Sequence, residues 1–90
     1  MIDFKPFVEN DPRKDRPTVT VTEESLTKRC EVMLPPELIK DKSILDVGCA
    51  LGAMGHWAME NGAYQYHGVE IQDGYKQKAT ELLKIGRAHV

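Results

Sequence analysis

Two acids and a run of small residues carry the chemistry that can be read from this sequence. Asp46 stands two positions before Gly48-Cys49-Ala50-Leu51-Gly52, and Glu70 follows Asp46 by 24 residues. Glycine admits backbone angles that other residues avoid and lets a ligand come close to the main chain. Such a loop, opening into a helix, presents unpaired backbone amides that favour anionic groups. A carboxylate at the end of the next strand can accept hydrogen bonds from both hydroxyls of a ribose. The combination suits a nucleoside with an anionic substituent.

Positioning those groups requires a βαβ unit. Ser43-Ile44-Leu45-Asp46-Val47 is a short, mostly apolar run closed by a glycine, and predicts a buried parallel strand. Residues 53–61 predict a helix with Met54, Trp57 and Ala58 on one face, stopped by Asn61-Gly62. Tyr66 to Ile71 predicts the second strand and brings Glu70 to the same sheet edge as the glycine loop. A last helix over residues 74–83 follows from Tyr75, Ala79, Leu82 and Leu83 at i, i+4, i+7 and i+8. The fold class expected is α/β, a partial Rossmann-like doubly wound sheet with flanking helices. Open sheets of this kind bind ligands beyond the carboxyl ends of their strands.

Upstream, residues 1–20 carry Pro6, Pro12 and Pro17 among mixed charges, and predict an extended arm. A helix is expected from Thr22 to Leu34, capped by Thr20 or Thr22, with Leu26, Cys30, Met33 and Leu34 on one stripe and Pro35-Pro36 ending it. Residues 21–84 then form one domain. Residues 85–90, Ile-Gly-Arg-Ala-His-Val, are what a common sequencing adapter encodes when read through in frame. They are set aside as a non-native tail, with the natural sequence expected to continue differently after Lys84.

Two ligand classes suit the loop, dinucleotides and S-adenosylmethionine. Gly48-x-Ala50-x-x-Ala53 is a degenerate dinucleotide fingerprint, but Ala50 crowds the position where a pyrophosphate needs glycine. Asp46 would also repel a pyrophosphate, whereas it is compatible with an ammonium and a sulfonium. Ile44-Leu45-Asp46-Val47-Gly48-Cys49-Ala50-Leu51-Gly52 resembles motif I of class I (Rossmann-like) S-adenosylmethionine-dependent methyltransferases, and Gly68-Val69-Glu70-Ile71 resembles their motif II. The resemblance covers residues 43–75 and departs from the family at Ala50, where the middle glycine is usual. It implies that Asp46, with Gly48, Cys49, Ala50 and Gly52, borders the methionine moiety. Glu70 would hold the ribose, and Ile71 and Gln72 would flank the adenine. It also implies in-line methyl transfer, with the acceptor-activating group outside this chain, so no catalytic residue is named. An NAD(P)-dependent oxidoreductase and a non-catalytic nucleotide-binding module are the competing readings.

Other reactive residue types have plainer explanations. Cys49 beside a helix start invites a nucleophile reading, but small residues suit such loops and packing explains it. Trp57 and Tyr75 are expected in the core, His56 at the surface, and Tyr64 and Tyr66 packed around the second strand. Cys30 and Cys49 have no metal-ligand spacing around them and read as reduced thiols, so no metal is expected. The net charge is −2, and the Arg13-Lys14-Asp15-Arg16 segment, interrupted by an acid, reads as a solvated segment and gives no footprint for nucleic acid. With neither a signal sequence nor an apolar run of spanning length, a cytoplasmic location and no membrane partner are expected. The methyl acceptor is not legible, and the missing basic patch leans towards a small molecule.

Overall fold

The computed structural model describes residues 2–83 and 87–90. In chain order the elements are α1 (Lys5–Glu9), α2 (Glu23–Met33), α3 (Pro36–Ile39), β1 (Ser43–Val47), α4 (Ala53–Glu60), β2 (Gln65–Val69), α5 (Asp73–Leu82) and β3 (Ala88–His89). The three strands form one parallel sheet in the order β1-β2-β3, with Asp46 opposite Gly68 and Val47 opposite Val69. This is the front of a Rossmann-like α/β fold, as the βαβ pattern predicts.

Helix starts and stops follow local chemistry. Thr22 caps α2 through a reciprocal box: its hydroxyl accepts the Ser25 amide at 3.0 Å, and the Ser25 hydroxyl accepts the Thr22 amide at 3.0 Å. Helix α4 ends at Asn61, followed by Gly62 at φ +86°. Strand β2 stops at Val69, whose carbonyl accepts both the Gly48 and Cys49 amides, at 2.7 and 3.1 Å. Glu70 and Ile71, expected inside the strand, therefore lie just past it.

One sheet face packs on α4. Tyr66, fully buried, lies against Gly55 of that helix, and Trp57 donates from Nε1 to the Leu34 carbonyl at 2.8 Å, tying α4 to the end of α2. The other face is open: Leu45, Val47 and Val69 are all exposed. β1 is thus not buried on both sides as its apolar composition suggests. Among the described residues, helices cover a single face.

The arm expected over residues 1–20 is not extended throughout. Phe4 and Phe7 are buried, with Phe4 stacked on Trp57 at a centroid separation of 6.5 Å and Phe7 stacked on His56 at 5.1 Å. His56, expected at the surface, is half-buried between these rings, with Nε2 3.0 Å from the Asp3 carbonyl. Two phenylalanines three apart on a single helical turn supply enough apolar area to order a segment that its prolines alone would leave loose. Two expectations about apolar packing also change. Tyr64 is exposed rather than packed on β2, and Met33 is exposed although its helix stripe predicts burial. The last residues, read as a non-native tail around a two-stranded unit, place Ala88–His89 beside β2 as a third short strand. Ile85 and Gly86 of that tail lie outside the described residues.

Candidate functional site

At the carboxyl edge of β1 the chain makes three left-handed turns in five residues. Gly48, Ala50 and Gly52 have φ of +76°, +51° and +83°. The alternation folds the loop tightly enough for the Gly52 amide to reach the Cys49 carbonyl at 2.9 Å before α4 begins. At Gly48 an added side-chain carbon would meet nothing within 4 Å, so glycine serves the backbone angle there. At Gly52 such a carbon would lie 2.5 Å from Leu83 Cδ1. That glycine makes room for the end of α5 as well as for the turn.

The Glu70 carboxylate closes the loop from the neighbouring strand. Its Oε1 accepts the Ala50 amide at 2.9 Å and its Oε2 accepts the Gln72 amide at 3.0 Å. The Gln72 amide, then the Ala50 amide, hold the Glu70 carboxyl below the usual carboxylate range. Each oxygen keeps acceptor capacity beyond its one amide.

A cleft of about 470 Å³ opens over this loop, within the range of small-molecule sites. Asp46, Gly48, Cys49, Ala50, Glu70 and Gln72 all border it. Of the residues expected to hold a ligand, six are therefore brought together. Gly52 and Ile71 are not among the lining residues, and Ile71 is 92% exposed. The far wall comes from the N-terminal segment and α2, with Asp11, Arg13, Leu26 and Arg29 among its residues. Arg13, read from the sequence as part of a solvated segment, instead grips the buried Asp11 with two hydrogen bonds, Nε to Oδ1 at 3.1 Å and Nη2 to Oδ2 at 2.9 Å. That guanidinium holds the Asp11 carboxyl below its ordinary value.

Cys49 is buried in the loop and desolvation pushes its thiol up, which opposes thiolate formation. Packing is its role. Tyr66, expected only to pack around the second strand, does so and also reaches the site through Asp46. Its hydroxyl donates to Asp46 Oδ2 at 2.7 Å, and burial together with that acceptor keeps the phenol protonated. The signal for it was the pair Gly55 and Gly68, neither of which has a positive φ. Among the described residues no group of three or more His, Cys, Asp or Glu side chains could hold a metal ion, and no helix is long and apolar enough to cross a membrane.

No family model matches the chain. Protein arginine N-methyltransferase 1 of Schizosaccharomyces pombe is 30% identical over 63 residues, which are 70% of this chain and 18% of that protein. Among solved structures, an S-adenosylmethionine-dependent methyltransferase from Mesorhizobium loti superposes over 92% of this chain and 32% of its own, with TM-score 0.60 and 18% identity. A protein provisionally described as an RNA methyltransferase, from Pyrococcus horikoshii, superposes over 74% of this chain and 35% of its own, with TM-score 0.64 and 21% identity. The chain therefore spans less than a fifth of the curated relative and about a third of each structural neighbour. The fold of this chain is the front part of the Rossmann-like fold seen in these methyltransferases.

Proposed function

We propose that the cleft binds S-adenosylmethionine and that the chain is the donor-binding part of a methyltransferase. The observation that carries this reading is the placement of Asp46 and Glu70 on one cleft, on either side of the glycine loop. Glu70 suits the ribose of either ligand class, whereas Asp46 beside the loop disfavours a pyrophosphate and suits a ligand with an ammonium and a sulfonium. The residues fit the group. Glu70 retains lone pairs for the ribose hydroxyls, the loop backbone at Gly48, Cys49 and Ala50 borders the methionine end with Asp46, and Gln72 lies where the adenine would follow. Gly52 would act through the shape of the loop. When bound, S-adenosylmethionine supplies a methyl group activated by its sulfonium, and the chain's residues hold that donor in line for attack.

Calorimetric titration with S-adenosylmethionine, S-adenosylhomocysteine and NAD tests the assignment. Binding of the two adenosyl ligands, lost in Glu70→Ala, is expected. Binding of NAD alone rejects it in favour of an oxidoreductase, and binding of none favours a non-catalytic module. The chain by itself is expected to bind the donor without transferring its methyl, and methyl transfer by the purified chain contradicts that. The methyl acceptor does not carry over from the similar proteins, whose names point to different acceptors. The absence of a basic cluster favours a small molecule. Two buried, unpaired thiols, Cys30 and Cys49, suit a reducing cytoplasm.

A further inference from the structure

We propose that Tyr66 is a positioning residue for Asp46, holding one carboxylate oxygen so that the other is presented to the ammonium of the methionine end of the ligand; this rests on the S-adenosylmethionine reading above. Tyr66 and Asp46 lie on adjacent strands, two register positions apart and on the same sheet face, since Asp46 pairs with Gly68 and Tyr66 with Ile44. To reach Asp46 the Tyr66 side chain must lean along β2 over Gly68. A side-chain carbon at Gly68 would stand 2.9 Å from the Tyr66 hydroxyl and 2.7 Å from Cys49 Sγ. The ring itself occupies a slot on α4, where a carbon at Gly55 would stand 2.5 Å from Tyr66 Cε2. Neither glycine is needed for a left-handed backbone. Gly55 therefore clears the slot for the ring, and Gly68 leaves the space that the Tyr66 hydroxyl shares with Cys49 Sγ.

At the end of that path is the 2.7 Å hydrogen bond to Asp46 Oδ2, the sole hydrogen bond to this carboxylate among the described residues. The ring is fully buried, so its hydroxyl is held in place and anchors one oxygen of a carboxylate that is only half-buried at the cleft. Asp46 Oδ1 is left for a ligand donor. Packing alone does not account for this arrangement. A phenylalanine would fill the same slot without a hydroxyl to satisfy, and the hydroxyl is directed to Asp46, the acid of β1 that borders the cleft just before the glycine loop.

Two ligands that share the adenosine and differ at the methionine end separate the possibilities. Binding of S-adenosylhomocysteine and of 5′-methylthioadenosine, which lacks the amino-acid group, is measured for the chain and for Tyr66→Phe, Asp46→Asn and the double variant. Tyr66→Phe is expected to weaken S-adenosylhomocysteine about tenfold, the effect of a lost hydrogen bond to a charged group, while methylthioadenosine binding stays within about twofold. The double variant should bind no worse than Asp46→Asn alone, because the two residues act on one contact. Equal weakening of both ligands by Tyr66→Phe, or additive effects in the double variant, overturns the proposal and leaves Tyr66 a core residue. Failure of the unaltered chain to bind either ligand instead overturns the cofactor assignment, and the proposal with it.

Discussion

Glu70 Oε1 accepts the Ala50 amide at 2.9 Å, so the acid expected to bind a ribose also fastens the glycine loop to the end of β2. One carboxylate thus shapes the cleft and lines it. Its pH dependence follows from the direction of its shift. The Gln72 and Ala50 amides lower the folded pKa below the ordinary 4.5. The stabilisation is complete above that ordinary value and is lost as pH falls through the lower, folded one. S-adenosylhomocysteine affinity should therefore stay level from neutral pH down to the ordinary carboxylate value of 4.5 and fall only below it. Calorimetry across this range checks it, and a Glu70→Gln variant should lose the acid-side fall.

Ala50 sits at φ +51°, a region that costs an L-residue about 1–2 kcal/mol. Ala50→Gly relieves that strain and adds unfolded-state entropy worth about 0.4–1 kcal/mol in the opposite sense. The net expected is a stabilisation of about 0.5–1 kcal/mol, read as a rise of a few degrees in Tm. Ala50→Val, branched at Cβ, should destabilise by at least the same amount.

The parts legible in the sequence were those set by short-range pattern. β1, α2 and α4 lie within a residue or two of their expected bounds because caps, glycines and apolar periods act locally. Asp46, Gly48, Cys49, Ala50, Glu70 and Gln72 converge because strand order and the βαβ crossover leave one place for them. What escaped depended on contacts distant in sequence. Phe4 and Phe7 order the arm only by meeting His56 and Trp57, some fifty residues on. The link from Tyr66 to Asp46 crosses strands, and Arg13 looks solvated until Asp11 is seen buried beside it. Gly52 is placed by a loop motif in the sequence, but the room it leaves for Leu83, at the far end of α5, is a contact that sequence spacing does not show.

Gly55 offers a test of the tyrosine slot that needs no ligand. Alanine inside a helix is ordinarily better than glycine by about 1 kcal/mol. Here the added carbon would press on the Tyr66 ring at 2.5 Å, with the backbone of β2 behind it. Overpacking of that kind costs about 1–3 kcal/mol, so Gly55→Ala should lower stability in urea despite its propensity gain. In a Tyr66→Ala background, where the ring is gone, the same substitution should become neutral or stabilising. A penalty of equal size in both backgrounds would show that the glycine answers to something other than this ring.

The buried thiols make a kinetic prediction. Desolvation raises both, pushing Cys30 to about 11. Thiolate is the reactive form, so at pH 8 both cysteines should react with a disulfide reagent far more slowly in the folded chain than in urea. Cys49→Ala should retain S-adenosylhomocysteine binding within about threefold, since it removes packing atoms and no charged contact. Fast labelling of Cys49 in the folded state, together with loss of binding on its replacement, would restore the nucleophile reading.

Phe4 tests how far the N-terminal segment belongs to the domain. Its ring is fully buried, lies nearly parallel to Trp57 at an interplanar angle of 11°, and meets His56 edge-on at 76°. Replacing a buried phenylalanine with alanine costs about 3–5 kcal/mol when the cavity cannot collapse, against a total of about 5–15 kcal/mol for an ordinary domain. Phe4→Ala should therefore lower the urea midpoint sharply and quench or shift Trp57 fluorescence in the folded state. Asp3 ties the same segment to α4 through its carbonyl and His56, so Phe4→Leu, which keeps much of the volume, should retain most of the stability. If Phe4→Ala leaves both the midpoint and the Trp57 signal unchanged, the segment is an appendage and the far wall of the cleft, which includes Phe7, Asp11 and Arg13, is not held in place by it.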